Sequence, residues 1–357
     1  MIHARQPALA LRHWIRYYYQ IEARFPDVVG LQLVPARSPQ IIEFMFGTPY
    51  RVNRFDGRNI DDVFPIAVVG VRTSRHCELL LQGKVDAFTI TFQPGGLAAF
   101  FSIPAIELTD WDFDATTVLD TGICEVYSRL AEVGTFTDRA RIADNYFMSR
   151  GSPGNSISHM AKVAVHVMHN NGCVRVEDLA HAAGLGTRQL ERRFRQEIGM
   201  GPKMYCRVIR FEAALKLKAM SPAMHWTQIA HALGYHDQMH MVHDFTVLSG
   251  GAPTSIGARL DMFVRPEVLA TARWQLGCSD RCPHGTDDRC ESLSGRQLER
   301  APQASGLRSL DAPHERKSKG YRIATNRCRV GSHPLRVPTH VRPTDVGLNI
   351  QLARQPP

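Results

Sequence analysis

Up to about residue 115 the apolar positions fall in short, strand-length runs at 31–34, 41–46, 66–71 and 88–92, cut apart by Gly, Pro and Asp. Alternation is clearest over 86–92, where Phe88, Ile90 and Phe92 share one face of the predicted strand. Gln93, Pro94, Gly95 and Gly96 end that strand, and 97–101 starts a short helix. From 117 to 148 the period lengthens. Val118, Ile123, Val126, Leu130 and Val133 recur at threes, fours and fives, which predicts helix. Gly151, Ser152, Pro153 and Gly154 then mark a connector at 149–156.

Beyond the connector a second pattern appears. Leu179, Ala182 and Ala183 line one side of a short helix, Gly184 and Leu185 turn the chain, and a helix follows over 187–198. Small Ala side chains let two helices cross closely, and glycine supplies the backbone that a tight turn needs. On the second helix Leu190, Phe194 and Ile198 face inward, while Arg188, Glu191, Arg192 and Arg195 form the opposite face at i, i+3, i+4 and i+7. Guanidinium groups along one exposed stripe suit the DNA major groove, where Arg bonds guanine O6 and N7 or pairs with phosphate. A stripe of this kind taken alone is more often a solvated helix face.

A second copy about fifty residues later shifts that balance. Ile229, Ala230 and Leu233 face inward on a helix over 227–233, Gly234 and Tyr235 turn, and a helix over 237–248 buries Met241, Phe245 and Leu248. Between the copies Pro202 opens a helix running through 203–219, with Tyr205, Val208, Ile209, Ala213 and Leu217 as packing residues. At ~1.5 Å per residue it spans roughly 25 Å. That is enough to hold two recognition helices about one DNA turn, ~34 Å, apart.

Charge supports this division. Residues 1–149 carry 14 basic against 17 acidic side chains, 150–260 carry 13 against 7, and 261–357 carry 16 against 10. Only the back of the chain is suited to a polyanion. Nine of the sixteen histidines lie between His159 and His243, adding positive charge there in mild acid. The 357 residues allow two domains, and no apolar run reaches the ~18 residues of a membrane span. The first eleven residues lack a secretory pattern, so a soluble, cytoplasmic protein is expected.

Cys77, Cys124, Cys173 and Cys206 are scattered singly, which suits reduced structural thiols better than a disulfide framework or catalysis. The segment 264–357 reads as a disordered basic tail. Its Cys278, Cys282, His284 and Cys290 lack the paired spacing of a zinc site. Trp14, Tyr17, Tyr18 and Tyr19 are either a ligand-stacking cluster or core packing, and packing is the commoner use. Trp14, Phe44, Phe92 and Trp111 are expected in the core.

Asp178-Leu179-Ala180, Gly184, Leu190-Glu191-Arg192-Arg193-Phe194, Gly199-Met200-Gly201-Pro202, Arg210-Phe211, Ile229-Ala230, Gly234-Tyr235, His240 and Phe245 together resemble the DNA-binding domain of the AraC/XylS family. The resemblance covers about 100 residues, in order and in spacing. It implies a sequence-specific bacterial transcription regulator with double-stranded DNA as partner, each second helix entering a major groove. Thr187 opens the first of these helices; Arg188, Glu191 and Arg192 would read bases and Arg195 would contact phosphate. Gln238, Met239, Val242 and His243 occupy the reader positions of the second unit.

That second unit departs from the family. Ser is usual at Met239, Phe at Met241, Arg at His243 and Lys or Arg at Thr246, so less affinity and discrimination are expected from it. The stretch 249–253 resembles the family's closing turn.

More loosely, Pro35, Glu43-Phe44, Gly70 and Phe92-Gln93-Pro94-Gly95-Gly96 resemble the sensor domain of some family members, which implies a cupin-like barrel. Metal-holding cupins need a close His pair and a Glu, whereas 1–149 contain only His3, His13 and His76. The fold expected is α+β: a β-rich, cupin-like effector domain over 1–150, an all-α DNA-binding domain over 155–260 and the tail over 264–357. No catalytic residue, metal or cofactor is expected. A small-molecule effector and RNA polymerase are the further partners this reading allows, without membrane contact and with the oligomeric state open. A DNA-repair alkyl acceptor would need a zinc-bound Cys cluster near the start, where only Cys77 is found in the first 120 residues. A low-specificity nucleoid-type protein is the alternative, given the depleted second helix and the basic tail.

Overall fold

A computed structural model of the chain describes residues 1–55, 59–60, 64–75, 77–151 and 157–257. The expectations for 152–156 and for the tail, including Cys278, Cys282, His284 and Cys290, lie outside the described residues, as does His76.

The front region is an eight-stranded antiparallel sheet: β1 (Ile2–Arg5), β2 (Ile15–Val34), β3 (Ile41–Met45), β4 (Arg51–Arg54), β5 (Asn59–Ile60), β6 (Ile66–Val69), β7 (Cys77–Phe92) and β8 (Asp112–Asp114). The path runs β1-β2-β7-β3-β6-β8, with β4 pairing β5 and β7. The short apolar runs at 31–34 and 88–92 prove to be the ends of two long strands, β2 and β7, whose pairing is interrupted between Phe25 and Gly30.

Alternation gives the sheet two different faces. Tyr18, Ile42, Phe44, Phe88, Ile90 and Phe92 point to one core, where Leu97, Phe100, Ile123, Val126, Leu130, Ala143 and Phe147 cover them. The register sets Ile42 beside Ile90 and Phe44 beside Phe88, so apolar side chains meet across strands at ~0.2–1 kcal/mol per favourable pair. The residues between them, Ile41, Glu43 and Thr91, turn to the opposite face and a cavity.

The helical stretch predicted over 117–148 is three helices after α1 (Gly96–Phe101): α2 (Ala115–Val118), α3 (Gly122–Glu132) and α4 (Phe136–Ser149). Capping divides it. Asp120 accepts from the Gly122 N–H at 3.1 Å where α3 starts and Thr135 accepts from the Asp138 N–H at 3.1 Å where α4 starts, so new helices begin within the apolar period. A buried Arg139–Asp86 pair at 2.7 Å ties α4 to β7. The buried Tyr18 hydroxyl donates to Asp144 at 2.9 Å. Trp111 corrects its expectation: it is 42% exposed, with the Arg54 guanidinium 5.6 Å from its ring centre rather than a core around it.

The remaining helices are α5 (His159–His169), α6 (Val176–Ala182), α7 (Thr187–Ile198), α8 (Pro202–Met220), α9 (Trp226–Ala232), α10 (Gln238–Ser249) and α11 (Pro253–Gly257). Among the described residues no helix is long and apolar enough to cross a membrane. The core of this helical region is not its own alone, because Leu33, Ala36 and Val71 of the front region belong to it.

Gly199, which caps α7, shows how tightly the regions meet. Its φ is +99°, and a Cβ there would lie 2.7 Å from a Val71 methyl and 2.9 Å from the Thr109 hydroxyl. Gly184, in the turn between α6 and α7, has φ +62° and open space around it. Chemical denaturation of Gly184→Ala is expected to show only the left-handed backbone cost, about 1–2 kcal/mol. Gly199→Ala should lose roughly 1–3 kcal/mol more, because the added methyl overpacks the joint.

Candidate nucleic-acid interface

The first unit is α6, the turn at Gly184 and α7. Leu190, Phe194 and Ile198 are buried, which fixes the rotation of α7 and leaves Thr187, Arg188, Glu191, Arg192 and Arg195 exposed. Arg195 lies 3.6 Å from Glu191 and Arg193 lies 3.8 Å from Glu197. Exposed pairs of this type contribute at most about 1 kcal/mol, so they exchange readily for an external anion. Among the described residues Arg188 and Arg192 have no carboxylate partner.

In the second unit Gly234, at φ +63°, turns α9 into α10. Asp237 caps α10 by accepting the His240 N–H at 2.8 Å. Met241, Phe245 and Leu248 are buried as predicted, Gln238, Met239 and His243 are exposed, and Val242 is half-buried. The Gln238 side-chain carbonyl accepts from the Thr227 hydroxyl at 2.9 Å, tying the first residue of α10 to α9. α10 contains neither Lys nor Arg.

α8 spans the gap between the units, ~28 Å at 1.5 Å per residue. Tyr205 meets Phe194 of α7 edge-on at 5.4 Å, and Phe211 meets Phe245 of α10 edge-on at 4.8 Å. Arg207 adds an ion pair to Asp244 of α10 at 2.7 Å. Sequence reasoning placed Tyr205 on the packing face and missed Asp244, a carboxylate on an otherwise apolar stripe whose partner sits on another helix.

The front region touches both recognition helices at their C-terminal ends, where backbone carbonyls lack partners within the helix. The Thr109 hydroxyl donates to the Gly199 carbonyl at 2.6 Å after α7, and the Ala36 N–H donates to the Leu248 carbonyl at 2.7 Å near the end of α10. A third contact reaches α8: the Ser38 N–H and hydroxyl donate to the two carboxyl oxygens of Glu212, at 2.6 and 2.8 Å. Burial pushes the Glu212 carboxyl above its usual range, outweighing the Ser38 donors and the nearby Arg16 and Arg37, which pull it down.

α8 also forms one wall of a cavity of about 460 Å³, with Ile209, Glu212, Ala213 and Lys216 facing Tyr17, Tyr19, Arg37, Glu43, Tyr50 and Thr91 of the sheet. The N-terminal aromatic cluster is thereby divided: Trp14 and Tyr18 are core, while Tyr17 and Tyr19 line the cavity. The Tyr50 hydroxyl donates to Glu43, whose carboxyl burial also pushes upward. The Arg37 Nε and the Thr91 hydroxyl are buried without a hydrogen-bond partner. The four described cysteines are free; Cys77 and Cys206 are buried, and burial raises the Cys206 thiol to about 11, which keeps it protonated.

Residues 179–259 match the helix-turn-helix domain family, and residues 3–114 match a domain family of unknown function, DUF6597. No curated protein matches the chain. Among solved structures, ToxT from Vibrio cholerae is similar at 10% identity over 68% of this chain and 98% of that one, with a TM-score of 0.43. ToxT bound to (E)-4-(8-methylnaphthalen-1-yl)but-3-enoic acid is similar at 11% identity, over 68% and 99% of the two chains, with a TM-score of 0.44. ToxT with an unsaturated fatty acid bound gives 12%, 72% and 97%, and 0.40. Behind its antiparallel front sheet the chain carries an AraC-type helix-turn-helix domain over 179–259, the make-up of a DNA-binding transcription regulator.

Proposed function

We propose that the chain regulates transcription by sequence-specific binding of duplex DNA, with α7 and α10 in successive major grooves and α8 as the spacer between them. The observation that carries this reading is the exposed Arg188, Glu191, Arg192, Arg195 stripe of α7, held in a fixed rotation by Leu190, Phe194 and Ile198. Arg188 and Arg192 suit guanine edges, Glu191 can accept from a cytosine amino group, and Arg195 suits phosphate. Gln238, Met239, Val242 and His243 read the second groove with less discrimination, since an apolar side chain can touch a thymine methyl but cannot make bidentate bonds.

The same reading gives the front region an effector site in its cavity, whose volume falls in the ~300–1,000 Å³ range of small-molecule pockets. Its walls favour a largely apolar molecule with an acceptor group that the unpartnered Arg37 Nε and Thr91 hydroxyl can meet. Because α8 is both the cavity wall and the spacer, a molecule that shifts Ile209, Glu212 or Ala213 changes how α7 and α10 are set against each other.

Selection of the full chain against a random duplex pool at near-physiological salt, beside Arg192→Ala, tests the specific reading. A recovered motif is expected that weakens in the variant at one or two base positions by about 1–3 kcal/mol. Arg195→Ala should instead weaken all sequences alike and flatten the log–log salt dependence by about 0.9 per lost phosphate contact. Equal retention of both proteins with no motif would favour the low-specificity, nucleoid-type reading.

The Glu212 contact carries its own test. Between the ordinary carboxylate pKa and the raised one, the folded chain holds a proton that the unfolded chain has released, so stability falls as pH rises through that window. Glu212→Gln keeps an oxygen for the Ser38 N–H and removes the titration. Thermal melts across pH are expected to show the variant gaining on the parent as pH rises above the usual carboxylate range. A difference constant with pH would mean that Glu212 stays ionised at the joint.

A further inference from the structure

One side-chain cluster at the start of α10 carries ligand chemistry that the reading above does not use. His236, Asp237 and His240 are exposed, and one ligand atom from each lies within 4.8 Å of the others, the sole such group among the described residues. The His236 Nδ1 is 3.2 Å from one Asp237 oxygen and the His240 Nδ1 is 3.1 Å from the other. The two imidazoles stand edge to face with centres 5.5 Å apart.

We infer that His236, Asp237 and His240 form a binding site for a divalent transition metal ion such as zinc, which supplies the positive charge that the second recognition helix lacks. Donor atoms around a tetrahedral zinc at ~2.1 Å lie ~3.4 Å from one another, a spacing these three exposed side chains, with one donor atom of each already within 4.8 Å of the others, reach by small rotations. Two imidazoles and a carboxylate suit zinc, nickel or copper rather than magnesium or calcium, which prefer all-oxygen shells. The Asp237 carboxylate accepts the His240 N–H at 2.8 Å and faces both imidazoles, so one side chain is placed both to cap the helix and to ligate. The exposure of all three side chains leaves the remaining coordination positions open to water or to a phosphate oxygen.

The charge deficit lies on α10 itself. From Asp237 to Ser249 the stretch carries two aspartates, Asp237 and Asp244, and no Lys or Arg; Asp244 is already paired with Arg207. An ion of charge two at Asp237 makes the exposed start of the helix positive, as the Arg stripe does for α7. This role, though not the site, rests on the DNA reading above.

Zinc titrated calorimetrically into the full chain tests the site without DNA, so its failure leaves the reading of duplex by α7 untouched. Because the chain has eight cysteines, the quantity read is the difference between proteins rather than the total zinc bound. The parent is expected to bind one more zinc ion than the His236→Ala/His240→Ala variant. Asp237→Asn, which keeps a good N-cap while removing the charge, should bind that ion about tenfold or more weakly. Circular dichroism of each variant establishes that the helices are retained, and His236→Ala, outside α10, repeats the test if the double variant unfolds. Equal zinc stoichiometry and affinity in the parent and a folded variant would overturn the site. In a second arm, zinc should tighten binding of a mixed-sequence duplex by the parent and not by the variant. Zinc bound with no change in duplex affinity would overturn the role.

Discussion

The structure turns on a single demand placed on α8, which must bury three of its sides at once. One side takes Phe194 against Tyr205, another takes Phe245 against Phe211, and a third closes a cavity that the sheet leaves open. Each aromatic pair contributes about 0.5–1.5 kcal/mol beyond the area it buries. The geometry matters more than the sum, because a helix fixed on three sides cannot turn or slide without disturbing all of them. Glu212 sits where the third side meets the front region, and there a carboxyl is buried for the sake of two hydrogen bonds from Ser38.

What could be read in the sequence follows from how far apart the interacting residues lie. Leu190, Phe194 and Ile198 repeat every four residues, so the rotation of α7 and its exposed Arg stripe are local properties visible without a fold. The same holds for Gly184 and Gly234 in their turns and for Phe88, Ile90 and Phe92 on one strand face. The Ser38–Glu212, Ala36–Leu248 and Thr109–Gly199 contacts join residues 90 or more positions apart, and no periodicity announces them. Trp111 was misplaced because size and apolarity favour burial, while stacking on Arg54 offers the ring a half-exposed alternative. The helical period over 117–148 is real, yet Asp120 and Thr135 cut it by holding N–H groups in the first turn of the next helix, a signal that competes with periodicity rather than adding to it.

The two helix-turn-helix units are alike in backbone and unlike in surface. Both recognition helices bury three large apolar side chains, and both end at a glycine in the left-handed region. α7 presents arginines, whereas α10 presents Gln, Met, Val and His. The buried faces are constrained by α8 in both units, which leaves the exposed faces free to diverge without cost to the fold. Arg207 and Asp244 illustrate the division: the charge on the inner side of α10 is paired within the protein and unavailable to any partner.

Leu33, Ala36 and Val71 lie inside the hydrophobic core of the helical region although they come from the sheet. The DNA-binding half is therefore not a cassette. A chimaera that grafts residues 157–257 onto another front domain carries an unfilled socket unless the donor brings apolar side chains at those three places. Drift on either surface must be matched by the other, so the two halves can be inherited only as a fitted pair.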